Sequence, residues 1–125
     1  METPSAAIAD IGRARCIALT TFKRDGTAVA TPIWLNVMGD RILVTTPSGS
    51  GKVKRVRNNS RVTFARCTQR GRVVGPEFEG TAQVLPPERT AEVLRAKRRR
   101  YFSARFIQLL PSARDQVAIE ITPNR

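Results

Sequence analysis

The chain of 125 residues contains no histidine, and this absence excludes several classes of active site. Dyads and triads that pair serine or cysteine with an imidazole cannot form, nor can metal sites built on imidazole nitrogens. The two cysteines, Cys16 and Cys67, lie far apart and form no Cys-x-x-Cys motif, so no structural zinc site is expected. If the chain is an enzyme, its reactivity is expected to come from a bound organic cofactor.

Long apolar runs and aromatic residues are also scarce. No run of about 18 apolar residues occurs, so no membrane-spanning helix is predicted. The first 15 residues lack the apolar stretch of a secretory signal, so we expect a cytoplasmic protein with reduced thiols. Aromatic residues make up only 6% of the chain, which argues against a surface on which nucleic-acid bases stack.

The chain is instead rich in positive charge, with 22 Lys and Arg against 10 Asp and Glu and a net charge of +12. Such an excess attracts anions, whether nucleic acid, acidic lipid or a phosphorylated small molecule. A basic barrel that binds nucleic acid without catalysis therefore remains an alternative at this point.

The pattern of elements predicts one mainly β domain over residues 1–125. Tight turns at Asp25-Gly26 and Gly39-Asp40 join three β-rich runs, which is typical of an antiparallel meander. Without a βαβ rhythm, the order favours an antiparallel barrel with helices packed outside it. The predicted helices are 4–12, 52–59 and 87–100, and the predicted strands are 16–22, 27–37, 41–46, 61–67, 77–85 and 116–122.

Pro32 lies in the middle of the second predicted strand. Proline cannot donate a hydrogen bond to a sheet, so it marks an edge, a bulge or a place where the strand leaves its partner. Two interpretations remain open: a plain edge strand, or a strand whose unpaired backbone faces a ligand.

The segment from Thr45 to Arg55 is not a phosphate-binding loop of the Walker A type, because Thr46 replaces its first glycine and Val53 follows the lysine. A different anion site is possible, since Ser50 is a good N-cap before a helix that opens with Lys52, Lys54 and Arg55. Cations in a first turn oppose the helix dipole. Either a bound phosphate relieves this repulsion or the side chains are simply solvated.

The order of these features resembles the pyridoxamine 5′-phosphate oxidase-like (PPOX class) flavoproteins, which include the F420-dependent split-barrel reductases of actinobacteria. The resemblance covers roughly residues 14–85. It rests on the spacing of Thr31-Pro32-Ile33-Trp34, Gly39-Asp40, Thr45-Thr46, the loop from Ser48 to Gly51, Lys52, Asn59-Ser60-Arg61-Val62 and Gly80-Thr81-Ala82.

The resemblance implies a six-stranded antiparallel split β-barrel with flanking helices, and a homodimer with the cofactor between its subunits. It implies coenzyme F420, or FMN as the alternative, and hydride transfer to an unidentified small electrophilic substrate. No catalytic acid or base and no metal is implied. Many relatives carry a second basic residue just before the lysine, where this chain has Ser50-Gly51, and Arg55 is our candidate to replace it. The implied cofactor-binding residues are Thr31, Pro32 and Ile33 at the ring, Thr45 and Thr46 at the ring or its side chain, and Ser50, Gly51, Lys52 and Arg55 at the phosphate.

Overall fold

A computed structural model describes residues 4–12, 14–100 and 116–124 of the chain. Every boundary lies within one residue of the sequence prediction. The helices are α1 (Pro4–Ile11), α2 (Gly51–Asn58) and α3 (Pro87–Arg100). The strands are β1 (Cys16–Phe22), β2 (Ala28–Met38), β3 (Arg41–Pro47), β4 (Arg61–Arg66), β5 (Phe78–Val84) and β6 (Gln116–Pro123).

The six strands form a closed antiparallel barrel in the order β1-β2-β3-β6-β5-β4. Alternate residues point into it, as the period of a strand requires: Ile17 and Leu19 belong to the central core, whereas Cys16 and Ala18 belong to a separate cluster outside it. The predicted mainly β class and six-stranded antiparallel barrel are therefore confirmed.

The three helices bury apolar faces against this barrel. Ala7 and Ile11 of α1 join the central core next to the start of β1, and Val53 and Val56 of α2 join it at the opposite end, as their spacing predicts. Helix α3 lies on the outer surface, where Val93 packs with residues of β3 and β6. Among the helices that the structure describes, none has the length and apolarity needed to cross a membrane.

The functionally important feature of the barrel is a change of partner along β2. Residues 28–34 pair with β1, whereas residues 35–38 pair with β3. On the other side of the junction, residues 45–47 of β3 pair only with β6 among the described strands. The two strands therefore separate beyond the pair Leu35 and Val44. We call the space between residues 28–33 and 45–47 the β2–β3 opening.

Pro32 is accommodated because its ring nitrogen lies on the side of the opening. The Leu35 amide donates to the Arg15 carbonyl, on the β1 side, at 3.2 Å. Backbone groups of successive residues in a strand point to opposite sides, so those of Pro32 point away from β1. No hydrogen bond of the β1–β2 ladder is lost at the proline. This supports the edge-strand interpretation, with the edge directed at the opening.

Candidate functional site

The candidate site lies where β3 leaves the opening and α2 begins. Ser50 is the N-cap of α2, with an extended backbone at φ −69° and ψ 158°, so its predicted position is confirmed. Its side chain makes no capping hydrogen bond; it accepts instead from the Thr46 hydroxyl, at 3.2 Å. The first amide groups of the helix, which have no acceptor within the helix, therefore do not donate to the cap side chain.

Helix α2 concentrates positive charge without a compensating acid. Its first turn holds no acidic residue. Arginines elsewhere, such as Arg61 with Glu79 at 3.1 Å, form ion pairs. Within the described ranges, no carboxylate lies within ion-pair distance of the basic side chains of α2. These unpaired cations are Lys52, Lys54, Arg55 and Arg57.

Lys52 is half-buried, and its surroundings disfavour its charge. Burial lowers the pKa of the Lys52 ammonium group, and the nearby positive charge of Arg55 lowers it further. An anion bound beside Lys52 would act in the opposite direction and favour the protonated form. The local electrostatics are therefore those of a site that gains from binding a negative charge.

Arg55 is held in place by a residue that the sequence did not single out. Its Nε donates to the hydroxyl of Thr21 at 2.6 Å, and Thr21 is fully buried. The signal for Thr21 was weak: a hydroxyl at an inward-facing position of a strand is often only a packing residue. The structure shows that this hydroxyl anchors the guanidinium.

Gly51 provides the space that the Arg55 guanidinium occupies. A Cβ atom at Gly51 would lie 2.6 Å from Nη1 of Arg55, well inside van der Waals contact. Arg55 thus lies directly against position 51, next to the lysine. The replacement of a second basic residue by Arg55, which the resemblance suggested, stays a prediction.

The β2 residues of the candidate site do not share one face. Thr31 pairs with Leu19 and Ile33 with Ile17, so both point towards the interior, whereas Pro32 points outwards. The Thr31 hydroxyl is buried and has no hydrogen-bond partner among the described residues. Pro32 is exposed, and Gly71 of the β4–β5 loop is near its ring: a Cβ atom at Gly71 would lie 3.6 Å from Cγ of Pro32.

Thr45 and Thr46 likewise point to opposite sides of β3. Thr45 pairs with Ala118, which packs under α3, while Thr46 pairs with Val117 of the central core and bonds to Ser50. Thr46 therefore groups with Ser50 through a hydrogen bond, and the Arg55 guanidinium lies beside Gly51. The side chains of Thr45, which is buried, and Pro32, which is exposed, lie on the outer side of the barrel, away from this group.

The sequence matches a known family over nearly its whole length. Residues 5–125 match the family model described as pyridoxamine 5′-phosphate oxidase. The chain belongs to this family. Comparison with curated proteins gives no match.

Solved structures with the same fold carry varied names. An F420 reductase superposes with a TM-score of 0.68 at 20% identity, covering 94% of this chain and 93% of its own. A conserved hypothetical protein from Mycobacterium tuberculosis gives 0.75 at 22%, covering 100% and 82%. The haem storage protein HutZ from Vibrio cholerae gives 0.72 at 12%, covering 100% and 92%. At these identities the structural similarity establishes the split-barrel fold alone. The ligand has to be inferred from the residues of the candidate site.

The packing of Arg55 against Gly51 predicts a measurable coupling. In Gly51→Ala the new methyl group should push the flexible guanidinium away from Thr21 and break a hydrogen bond that contributes about 1 kcal/mol. Because alanine itself favours a helix over glycine by up to about 1 kcal/mol, the informative quantity is the difference between backgrounds. We expect the effect of Gly51→Ala on the free energy of unfolding, measured with urea, to be about 1 kcal/mol less favourable in the wild-type background than in the Arg55→Ala background. Equal effects in the two backgrounds would contradict the packing described.

Proposed function

We propose that this protein is an oxidoreductase that binds the deazaflavin coenzyme F420, with FMN as the alternative, at the β2–β3 opening. It would transfer a hydride between the cofactor ring and a small electrophilic substrate. The observation that carries the proposal is the group of cations at the start of α2, which have no carboxylate partner in the described residues and lie beside strands that part from each other.

The residues present fit a phosphorylated ring cofactor. Lys52 and Arg55 would hold the phosphate, together with the first amides of α2 around Gly51, because an anion relieves both the charge repulsion and the uncapped helix start. The buried Thr31 hydroxyl, which lacks a partner in the described part of the chain, would gain one from a ligand in the opening. The backbone of residues 30–33 would lie along the ring.

The protein's own residues would bind, orient and exclude water. The bound cofactor would supply the hydride chemistry. Lys52 and Arg55 are assigned to the phosphate, and no residue is assigned as a catalytic acid or base. Arg55, fixed by Thr21 at 2.6 Å, would position the phosphate and through it the ring.

F420 is preferred because its phosphate continues into an acidic oligoglutamate tail, which a surface with net charge +12 attracts. The structural similarity to an F420 reductase supports this choice. Haem, suggested by the similarity to a haem storage protein, is less favoured, since a chain without histidine cannot ligate iron through imidazole.

The direct test is titration of the purified protein with FMN and with F420, followed by absorbance and fluorescence over a range of salt concentrations. F420 binding should show a mild salt dependence that steepens with tail length, and FMN a shallower one, because exposed charges are screened within about 10 Å at 0.1 M salt. Binding to generic DNA or RNA should instead fall about 10³-fold or more between roughly 50 and 200 mM. Nucleic-acid binding that persists at high salt, with no binding of either cofactor, would overturn the proposal.

Lys52 offers the sharpest test of the phosphate position. A charge-assisted contact with a phosphate contributes about 1.5–3 kcal/mol, so Lys52→Ala should weaken cofactor binding roughly ten- to a hundredfold. Lys54→Ala is the matched control, because it removes the same charge from the same turn at an exposed position and should change affinity little. If both variants bind as tightly as the wild type, the phosphate lies elsewhere.

We also propose that the protein is a homodimer with the cofactor between its subunits. A 125-residue chain has room for one core, and half a groove on its surface would leave the cofactor ring exposed to solvent. Size-exclusion chromatography with light scattering at micromolar concentration should give twice the chain mass. A 13.9 kDa species with cofactor bound would contradict the shared site.

A further inference from the structure

The two cysteines, which the sequence places far apart, meet on the outer face of the barrel. Cys16 begins β1, and Cys67 follows directly after β4. The register that pairs Ile17 with Arg66 puts the two cysteines opposite each other. The Cys67 amide donates to the Cys16 carbonyl at 3.1 Å, and the two sulfur atoms lie 3.4 Å apart.

We propose that Cys16 and Cys67 form a reversible intrachain disulfide that ties the start of β1 to the base of the β4–β5 loop. Directly opposed residues of antiparallel strands have Cα atoms about 4.5–5.5 Å apart, within the range of roughly 4.4–6.8 Å that disulfides span. The sulfur atoms would need to approach by about 1.4 Å to reach bonding distance. Side-chain rotation can supply much of that movement, so the strand pairing need not be broken.

A small oxidant has a route to this pair. A cleft of about 350 Å³ reaches Cys67 from the surface. Two of its three charged side chains, Arg66 and Asp10, pair with each other at 3.1 Å, and hydrogen peroxide is a small, neutral oxidant that suits such a cleft. The residues that line the cleft are Asp10, Ala14, Arg15, Arg66, Cys67 and Val74.

The chemistry balances with hydrogen peroxide as the oxidant. The Cys67 thiolate attacks one oxygen, the O–O bond breaks, and the sulfur becomes a sulfenic acid as hydroxide leaves and takes up the thiol proton as water. Cys16 then attacks the Cys67 sulfur, the S–O bond breaks, and a second water leaves. The two thiols have lost two electrons and two protons, and peroxide has become two molecules of water.

The rate of this oxidation should rise with pH. Burial, the hydrogen bond to Cys16 and that neighbour's charge together raise the pKa of the Cys67 thiol to about 12. The thiolate is the nucleophile, so its fraction grows through the alkaline range. The charged groups that line the approach to Cys67 are Asp10 of α1, Arg15 before β1 and Arg66 of β4, and the thiol of Cys16 faces it directly.

The bond would stabilise the β4–β5 loop, which approaches Pro32. Cys67 forms an isolated β-bridge with Val73, and the Val74 amide donates to the Arg66 carbonyl at 2.9 Å. The same loop brings Gly71 near the ring of Pro32, so that a Cβ atom at Gly71 would lie 3.6 Å from Cγ of Pro32. A disulfide at the base of this loop would restrict its opening and would also restrict the unfolded chain.

The experiment compares the full-length protein before and after treatment with hydrogen peroxide. We expect a mass loss of two hydrogens, a Cys16–Cys67 link within one chain by peptide mapping, and reversal by dithiothreitol. The oxidised protein should melt on the order of 10 °C higher than the reduced protein, and the amides of the β4–β5 loop should exchange more slowly. Oxidation should be faster at pH 9 than at pH 7.

The matched controls are Cys16→Ser and Cys67→Ser, in which peroxide treatment should leave the melting temperature without an increase. The comparison of oxidised with reduced wild-type protein stands even if a variant does not fold. Free thiols or sulfinic acids without a link after treatment, a link between two chains, or an oxidised protein that melts no higher than the reduced one would overturn the proposal.

Discussion

The change of strand partner along β2 is the constraint on which the rest of the site depends. A strand has two edges, and β2 uses one for β1 over residues 28–34 and the other for β3 over residues 35–38. Neither contact spans the whole strand, so the sheet parts and leaves backbone facing a gap. Pro32 is tolerated because its nitrogen lies on that side, and α2 begins where the gap ends.

Helix α2 is stabilised by packing rather than by its own electrostatics. Four cations in eight residues repel one another, and those in the first turn oppose the helix dipole. Burial of Val53 and Val56 in the barrel end and the hydrogen bond from Arg55 to Thr21 hold it nonetheless. The positive charge of α2 then remains available for an anion. The packing that closes the end of the barrel therefore also creates the site that we propose for the cofactor phosphate.

Much of the fold and part of the site could be predicted. Turn dipeptides and alternation fixed each element to within one residue, and Val53 and Val56 face the core as their spacing indicated. The side-chain contacts could not be foreseen. Alternation along β3 does imply that Thr45 and Thr46 face opposite ways. The bond between Ser50 and Thr46 in place of a cap on α2 depends on loop geometry, which the sequence patterns do not specify.

The sequence by itself determined the mainly β class, the basic helix start and the absence of imidazole chemistry. It also carried the resemblance to the pyridoxamine 5′-phosphate oxidase family, which the match over residues 5–125 supports. These follow from composition and from short-range patterns, which act over a few residues. The tertiary structure alone decided that Thr21 anchors Arg55, that Gly51 makes room for it, and that Cys16 meets Cys67. The first and the last of these join residues on different elements, and only the register of the closed barrel and the packing of α2 against it bring them together. Gly51 and Arg55 lie on the same helix, and the guanidinium lies beside Gly51 while it bonds to Thr21.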